Sequence, residues 1–174
     1  MFDTNFFGTV NFTTAFLPHF RERKTGLIVN ISSMSAYFPY PGAGVYGAAK
    51  AALDSASKVW TKELAPFNVR SISINPGQFR TSVGTAMKGP DREIDAYGEI
   101  HEDLKKYGAN SGKEPGDPKK AARKILDVVT SKEELPARLA LGEDAVSLLD
   151  AEIQAEMRDM ERWREFGKGT NVEE

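Results

Sequence analysis

The chain has 174 residues, 40% hydrophobic and 28% charged, a formal net charge of −2 and no cysteine. That balance suits one globular domain; it excludes a disulfide framework, a thiol nucleophile and a cysteine-based metal site, and His19 and His101 are too few for a His-rich one. Basic and acidic residues are mixed and no apolar run reaches the roughly 18 residues of a membrane span, so the expectation is a cytoplasmic protein with neither a nucleic-acid nor a membrane partner.

Phe2 to about Arg23 reads as a helix, with Phe6, Val10, Thr14, Phe16 and Leu17 as its apolar stripe. The basic run Arg21 to Lys24 suits the negative end of a helix dipole. After Lys24-Thr25-Gly26 the run Leu27 to Ser33 has the β-branched pattern of a strand buried on both faces of a parallel sheet. A loop from Met34 to Gly42 leads into a helix reaching about Ala65, in which Ala49, Leu53, Ala56, Trp60 and Leu64 recur at helical intervals. Pro66 and Asn68 stop it, Val69 to Asn75 is the next strand, and Pro76-Gly77 turns the chain where open α/β sheets bind ligands.

Ser82 to Pro118 is too long and polar for an ordinary connection and reads as a substrate-covering flap with one helix, roughly Asp91 to Tyr107. Asp117-Pro118 starts a helix carrying Ala121, Ile125, Val128 and Val129 to about Thr130, and Ala137 to Leu141 is a third strand. Glu143 to about Phe166 is a helix with Val146, Leu149, Ile153, Met157, Met160 and Trp163 on one stripe, the pattern of a docking face. Lys168 to Glu174 is expected to fray. The elements predict an α/β fold: a partial doubly wound parallel sheet of about three strands with flanking helices.

Tyr46 and Lys50 lie one helical turn apart. A free phenol titrates at about 10, but a cation ~4 Å away at an effective dielectric of ~20 contributes roughly 4 kcal/mol, about three pKa units. Such a phenol could exchange protons near neutrality. The order Leu27-Ile28-Val29-Asn30-Ile31-Ser32-Ser33, then Tyr46-Gly47-Ala48-Ala49-Lys50, then Ile72-Ser73-Ile74-Asn75-Pro76-Gly77-Gln78-Phe79-Arg80-Thr81 resembles the short-chain dehydrogenase/reductase family. The resemblance runs from Asp3-Thr4-Asn5-Phe6-Phe7-Gly8 to Arg138 through Ala145.

It implies an NAD(P)-dependent oxidoreductase that interconverts an alcohol and a carbonyl by hydride transfer, with NAD and NADP not distinguishable. Its four catalytic positions map to Asn5, Ser33, Tyr46 and Lys50. Tyr46 would be the general acid/base and Ser33 would polarise the substrate oxygen. Lys50 would act on the phenol and hold the nicotinamide ribose, and Asn5 would support Lys50 through an ordered water. Pro76, Gly77, Phe79 and Thr81 resemble the stretch that contacts the nicotinamide carboxamide and adjoining phosphates. The helices 2–23 and 44–65 would form a homo-oligomer contact.

Gly42-Ala43-Gly44-Val45-Tyr46-Gly47 formally fits GxGxxG, but that fingerprint needs a strand running directly into its first glycine and an acidic residue closing the next strand. Neither holds here, since prolines intervene after Ser33 and Glu63 lies in a helix. The family's glycine-rich cofactor turn would fall upstream of Met1, so residues 1–174 are expected to be the C-terminal catalytic and substrate part of a Rossmann-like domain, with flap 82–118, that alone binds NADPH and NADH weakly or not at all. The alternative is a noncatalytic truncated remnant acting only as an oligomerisation or interaction partner.

Overall fold

A computed structural model of the chain describes every residue except Pro39, Met87, Lys88, Asp91, Glu173 and Glu174. A π-helical turn over Asp3–Phe7 runs into α1, Gly8–Arg23, followed by β1, Gly26–Ile31, α2, Gly44–Glu63, and β2, Val69–Pro76. Two helices, α3 over Val83–Ala86 and α4 over Gly98–Ala109, precede α5 over Pro118–Thr130, β3 over Arg138–Leu141 and α6 over Glu143–Trp163. The three strands form one parallel sheet in the order β1-β2-β3, with Gly26 opposite Val69 and Ser73 opposite Arg138. The α/β doubly wound fold class read from the sequence is the observed one.

The termini of these elements follow their local chemistry. Lys24 and Asn68 both adopt left-handed backbone, ending α1 and the turn after α2, and the Asn68 amide donates to the Lys24 carbonyl at 3.1 Å. Asp117 caps α5 by accepting from the Lys119 amide at 2.8 Å, with Pro118 in the first turn where no amide hydrogen is needed.

Side chains alternate across the central strand. Ile72 and Ile74 join Leu141 in a core packed by Ala121, Ile125, Val128 and Val129 of α5 and by Leu27 and Val29 of β1. On the other face Ile28, Trp60, Leu64 and Val69 form a second core, covered by Val10, Leu17 and Phe20 of α1. The sheet is thus sandwiched between α1 with α2 and α5.

Several sequence expectations are corrected. The first strand ends at Ile31, not Ser33; its residues have the pattern of a strand buried on both faces, yet within residues 1–174 it is the exposed apolar edge expected where the neighbouring strands are lacking, with Ile31 49% exposed. Among the described residues no strand lies on its outer side. The apolar stripe of α1 is only partly used: Thr13 is buried, whereas Phe16 stays exposed because the sheet covers one side of the helix only. The flap holds two helices rather than one, and the longer starts at Gly98; the expected start, Asp91, lies outside the described residues. In α6 only Ala145 and Leu149 are buried, and Val146, Ile153, Met157, Met160 and Trp163 remain exposed. Among the described residues no helix is long and apolar enough to cross a membrane.

Candidate active site

The carboxyl ends of β1 and β2 meet the first turns of α2, and this junction gathers Ser33, Tyr46 and Lys50. Past the end of β1, Ser33 has extended backbone; its hydroxyl oxygen accepts from the Ser35 amide at 3.1 Å, a bond that leaves its own proton unused. Its carbonyl accepts from the Ala36 amide at 3.1 Å and from the Asn75 side-chain nitrogen at 2.9 Å. The short turn Met34–Ala36 then presses against α2 at Gly47, where a Cβ would stand 2.7 Å from the Ser35 carbonyl oxygen. Only glycine permits that approach, and it sets the first turn of α2 directly against the Met34–Ala36 turn that follows Ser33.

Lys50 is half-buried under Tyr46, its ammonium 5.8 Å from the centre of the phenol ring. Lys50 Nζ donates to the Ile31 carbonyl at 2.8 Å, which uses one of its three protons, and its own backbone carbonyl accepts from Ser32 Oγ at 3.2 Å. Burial lowers the pKa of Lys50 below its ordinary value, and the negative charge of Asp54, one turn further along α2, works against that shift.

Asn5 sits in the π-helical turn, and that turn lies beside α2. Its amide nitrogen donates to the Met1 carbonyl at 3.1 Å, so the described contacts bring it to the N-terminus and not directly to Lys50. Pro76 and Gly77 close β2: the Gly77 amide donates to the Leu141 carbonyl at 2.8 Å, and the space a side chain at 77 would need is filled by the Asp144 carboxyl. Asp144 also accepts from the Gln78 amide at 2.7 Å, fixing this loop from the first turn of α6. Phe79 turns its ring into the Ile72, Ile74 and Leu141 core. Thr81 is exposed and its hydroxyl accepts from the Val83 amide at 3.3 Å, starting α3.

Residues 82–118 pack against this end of the sheet. Phe79 bridges Gly116 at its base, and Arg80 Nε donates to the Glu114 carbonyl at 2.5 Å. Ile100 and Leu104 of α4 lie against Gly42, so the flap helix rests on the loop that leads to Tyr46. A cavity of about 200 Å³ between flap and β2 is lined by Gln78, Tyr107, Asn110, Lys113, Glu114 and Pro115. Burial raises the Tyr107 pKa, and Glu114, Tyr46, Tyr40 and Asp144 add smaller shifts in the same direction.

A sequence profile of short chain dehydrogenases matches residues 1–91. The chain belongs to the short-chain dehydrogenase family. Its whole length aligns with a short-chain dehydrogenase from Streptomyces avermitilis, at a TM-score of 0.83 and 34% identity over 99% of this chain and 62% of that one. The oxidoreductase calM of Penicillium decumbens is 31% identical over 92% of this chain and 56% of its own length. A serine dehydrogenase solved in its closed form with NADP+ superposes with a TM-score of 0.65 at 28% identity, over 81% of this chain and 53% of that one. The short-chain dehydrogenase chain therefore spans little more than half the length of these relatives.

The GxGxxG-like run is not a phosphate cradle in this short-chain dehydrogenase. β1 ends at Ile31, well before Gly42, and Gly42 and Gly47 answer to Leu104, Ile100 and the Ser35 carbonyl. Sequence reasoning missed two residues of the site, Asp54 and Asp144. Asp54 had a legible signal: Asp54, Ser57 and Thr61 form a polar stripe at helical spacing, opposite the period-two series Ser71, Ser73 and Asn75 on a strand expected to be buried.

Proposed function

We propose that the chain carries the acid–base end of an NAD(P)-dependent oxidoreductase that interconverts an alcohol and a carbonyl. The observation that carries this reading is the Lys50 ammonium 5.8 Å from the Tyr46 ring, beside a Ser33 backbone held from β2, in a chain of this family. In that role Tyr46 gives a proton to the carbonyl oxygen, or takes one from the alcohol, and Ser33 uses its uncommitted proton to bind the same oxygen. The ammonium of Lys50 stabilises negative charge as it develops on the phenol.

The donors present fit the nicotinamide ribose half of a dinucleotide, since Lys50 keeps two protons beyond its bond to Ile31 and Pro76-Gly77 opens a loop at the carboxyl end of the sheet. When bound, NAD(P) would supply or accept the hydride. The NADP+ held by the serine dehydrogenase relative supports a nicotinamide group in general. Thr81 offers a hydroxyl at the loop's surface, whereas Phe79 would shape the loop from beneath because its ring is in the core. The flap from Ser82 to Pro118 would cover the substrate.

A noncatalytic partner role is the second reading, favoured by the exposure of Phe7 in the Asp3–Phe7 turn, of Phe12 and Phe16 on α1, and of the edge residue Ile31. The test uses the native protein from its source cells: its intact mass is measured, and NADPH and NADH oxidation are followed with a panel of aldehydes and ketones. Tyr46→Phe is expected to reduce turnover by about 10²-fold or more while leaving dinucleotide affinity nearly unchanged. Full activity in that variant removes Tyr46 from its role; no turnover and no dinucleotide binding by the native protein favours the partner reading.

A further inference from the structure

A buried carboxylate that the acid–base reading does not use lies one turn beyond Lys50. Asp54 is 4% exposed and both of its oxygens accept: Oδ1 from the Ser73 hydroxyl at 2.5 Å and Oδ2 from the Asn75 side-chain nitrogen at 2.8 Å. The second proton of that nitrogen goes to the Ser33 carbonyl at 2.9 Å. A carbonyl cannot donate, so the atom facing Ser33 must be the nitrogen; this fixes the Asn75 amide and makes Asp54 Oδ2 an acceptor. Ser73 and Asn75 are themselves fully buried.

We propose that Asp54 is a positioning residue of this site: its carboxylate ties α2, which carries Tyr46 and Lys50, to Ser73 and Asn75 of β2 and, through Asn75, to the Ser33 backbone, and it is the countercharge of Lys50. The link crosses three elements. Helix α2 could otherwise slide or rotate on the sheet by packing alone, which tolerates small shifts, whereas a hydrogen-bonded chain from Asp54 to Ser33 has one geometry. Around Lys50, α2 contributes Tyr46 and Asp54 on adjacent turns, the Asp3–Phe7 turn contributes the exposed Asp3, and β1 and Met34–Ala36 contribute no titratable side chain. The consequence for turnover rests on the acid–base reading, but the link and the countercharge do not.

The test therefore uses the purified chain without substrate or dinucleotide. Wild type, Asp54→Asn, Asp54→Ala and the control Ser57→Ala are compared by hydrogen exchange and by acetic anhydride labelling at pH 8. Ser57 is buried in a separate network with Asn30 and Ser71, so its loss perturbs the same interface without touching Ser33. Labelling of Lys50 is scored against the exposed Lys62 of the same helix.

In Asp54→Asn the Lys50 to Lys62 labelling ratio should rise about threefold, equivalent to about half a pKa unit, because the amine loses its countercharge. In Asp54→Ala the amides of residues 35–37 should exchange about tenfold faster or more while those of Leu27–Val29 stay as in wild type. Ser57→Ala should do neither. An unchanged ratio in Asp54→Asn overturns the countercharge, and faster exchange of residues 35–37 to the same degree in Ser57→Ala overturns the positioning link. Should Asp54→Ala fail to fold, the exchange comparison is made on Asn75→Ala, which removes the same bond to Ser33. Failure of the acid–base reading, seen as full turnover in Tyr46→Phe, would leave both readouts where they stand.

Discussion

At the amino ends of β1 and β2, α2 meets the sheet through Trp60 and Leu64 against Ile28 and Val69, whereas at the carboxyl ends it meets it through Asp54 against Ser73 and Asn75. Between the two, Asn30 donates to Ser57 at 3.1 Å, and Ser57 and Ser71 share a hydrogen bond of 2.9 Å. One interface thus passes from apolar to polar along a single helix face. Apolar burial is non-directional and supplies stability; hydrogen bonds between buried groups fix position and are costly when one partner is lost. The candidate catalytic groups lie at the end where position is fixed, the carboxyl ends of the strands, where open α/β sheets bind ligands.

The comparison is broken most severely at the apolar end. Trp60→Ala should cost about 3–5 kcal/mol of stability, read as a fall in the urea midpoint, by removing a large side chain from a closed core. The Lys50 to Lys62 labelling ratio should stay at the wild-type value in the folded protein, because the two ends share no direct partner. A changed ratio would mean that the helix moves as a unit and that the two ends are not separable.

Lys50→Met sharpens the contrast by asking what the polar end contributes. Burial holds the folded pKa of Lys50 below its ordinary value of 10.5, so in that window the unfolded chain binds more protons. Its contribution is therefore unfavourable at neutral pH and fades as pH rises toward the unfolded value. The variant should be at least as stable as wild type at pH 7, with the difference shrinking by pH 10, and should lose turnover if the acid–base reading is right. A variant much less stable at pH 7 would place Lys50 among the residues that hold the fold.

The smallest effect is expected far from both ends. Asp117 is exposed, and the amides of Lys119 and, to a lesser extent, Lys120 hold its carboxyl below the usual range. A depressed folded pKa stabilises above the unfolded value of about 3.9 and loses that contribution as pH falls through the folded value. Asp117→Ala should therefore lower the thermal midpoint slightly at pH 6 and less at pH 2.5. An equal shift at both would show that the cap's charge is irrelevant.

Much of this was legible without coordinates. The strand Val69 to Asn75, the helix through Ala49, Leu53, Trp60 and Leu64, and the cap Asp117-Pro118 are local patterns, and local patterns declare themselves through periodicity and turn chemistry. The pairing of Tyr46 with Lys50 was equally local, one turn of one helix. The edge position of β1 was legible only through the resemblance, which expects neighbouring strands that residues 1–174 do not hold; the run itself could not tell, because a short apolar stretch reads the same in the middle of a sheet or at its border. The second flap helix was not legible, since its four residues carry no periodic pattern.

By itself the sequence determined the family, the parallel α/β order and the residue types at Ser33, Tyr46 and Lys50. Only the tertiary structure decided that Asp54, Asn75 and Ser33, distant in sequence and each unremarkable alone, form one hydrogen-bonded chain, and that Asp144 reaches back to close the loop at Gly77 and Gln78. The physical reason is that a buried polar group must find its partner wherever the fold provides one: local spacing can mark a polar face, as in Asp54, Ser57 and Thr61, but not which residue of another element meets it.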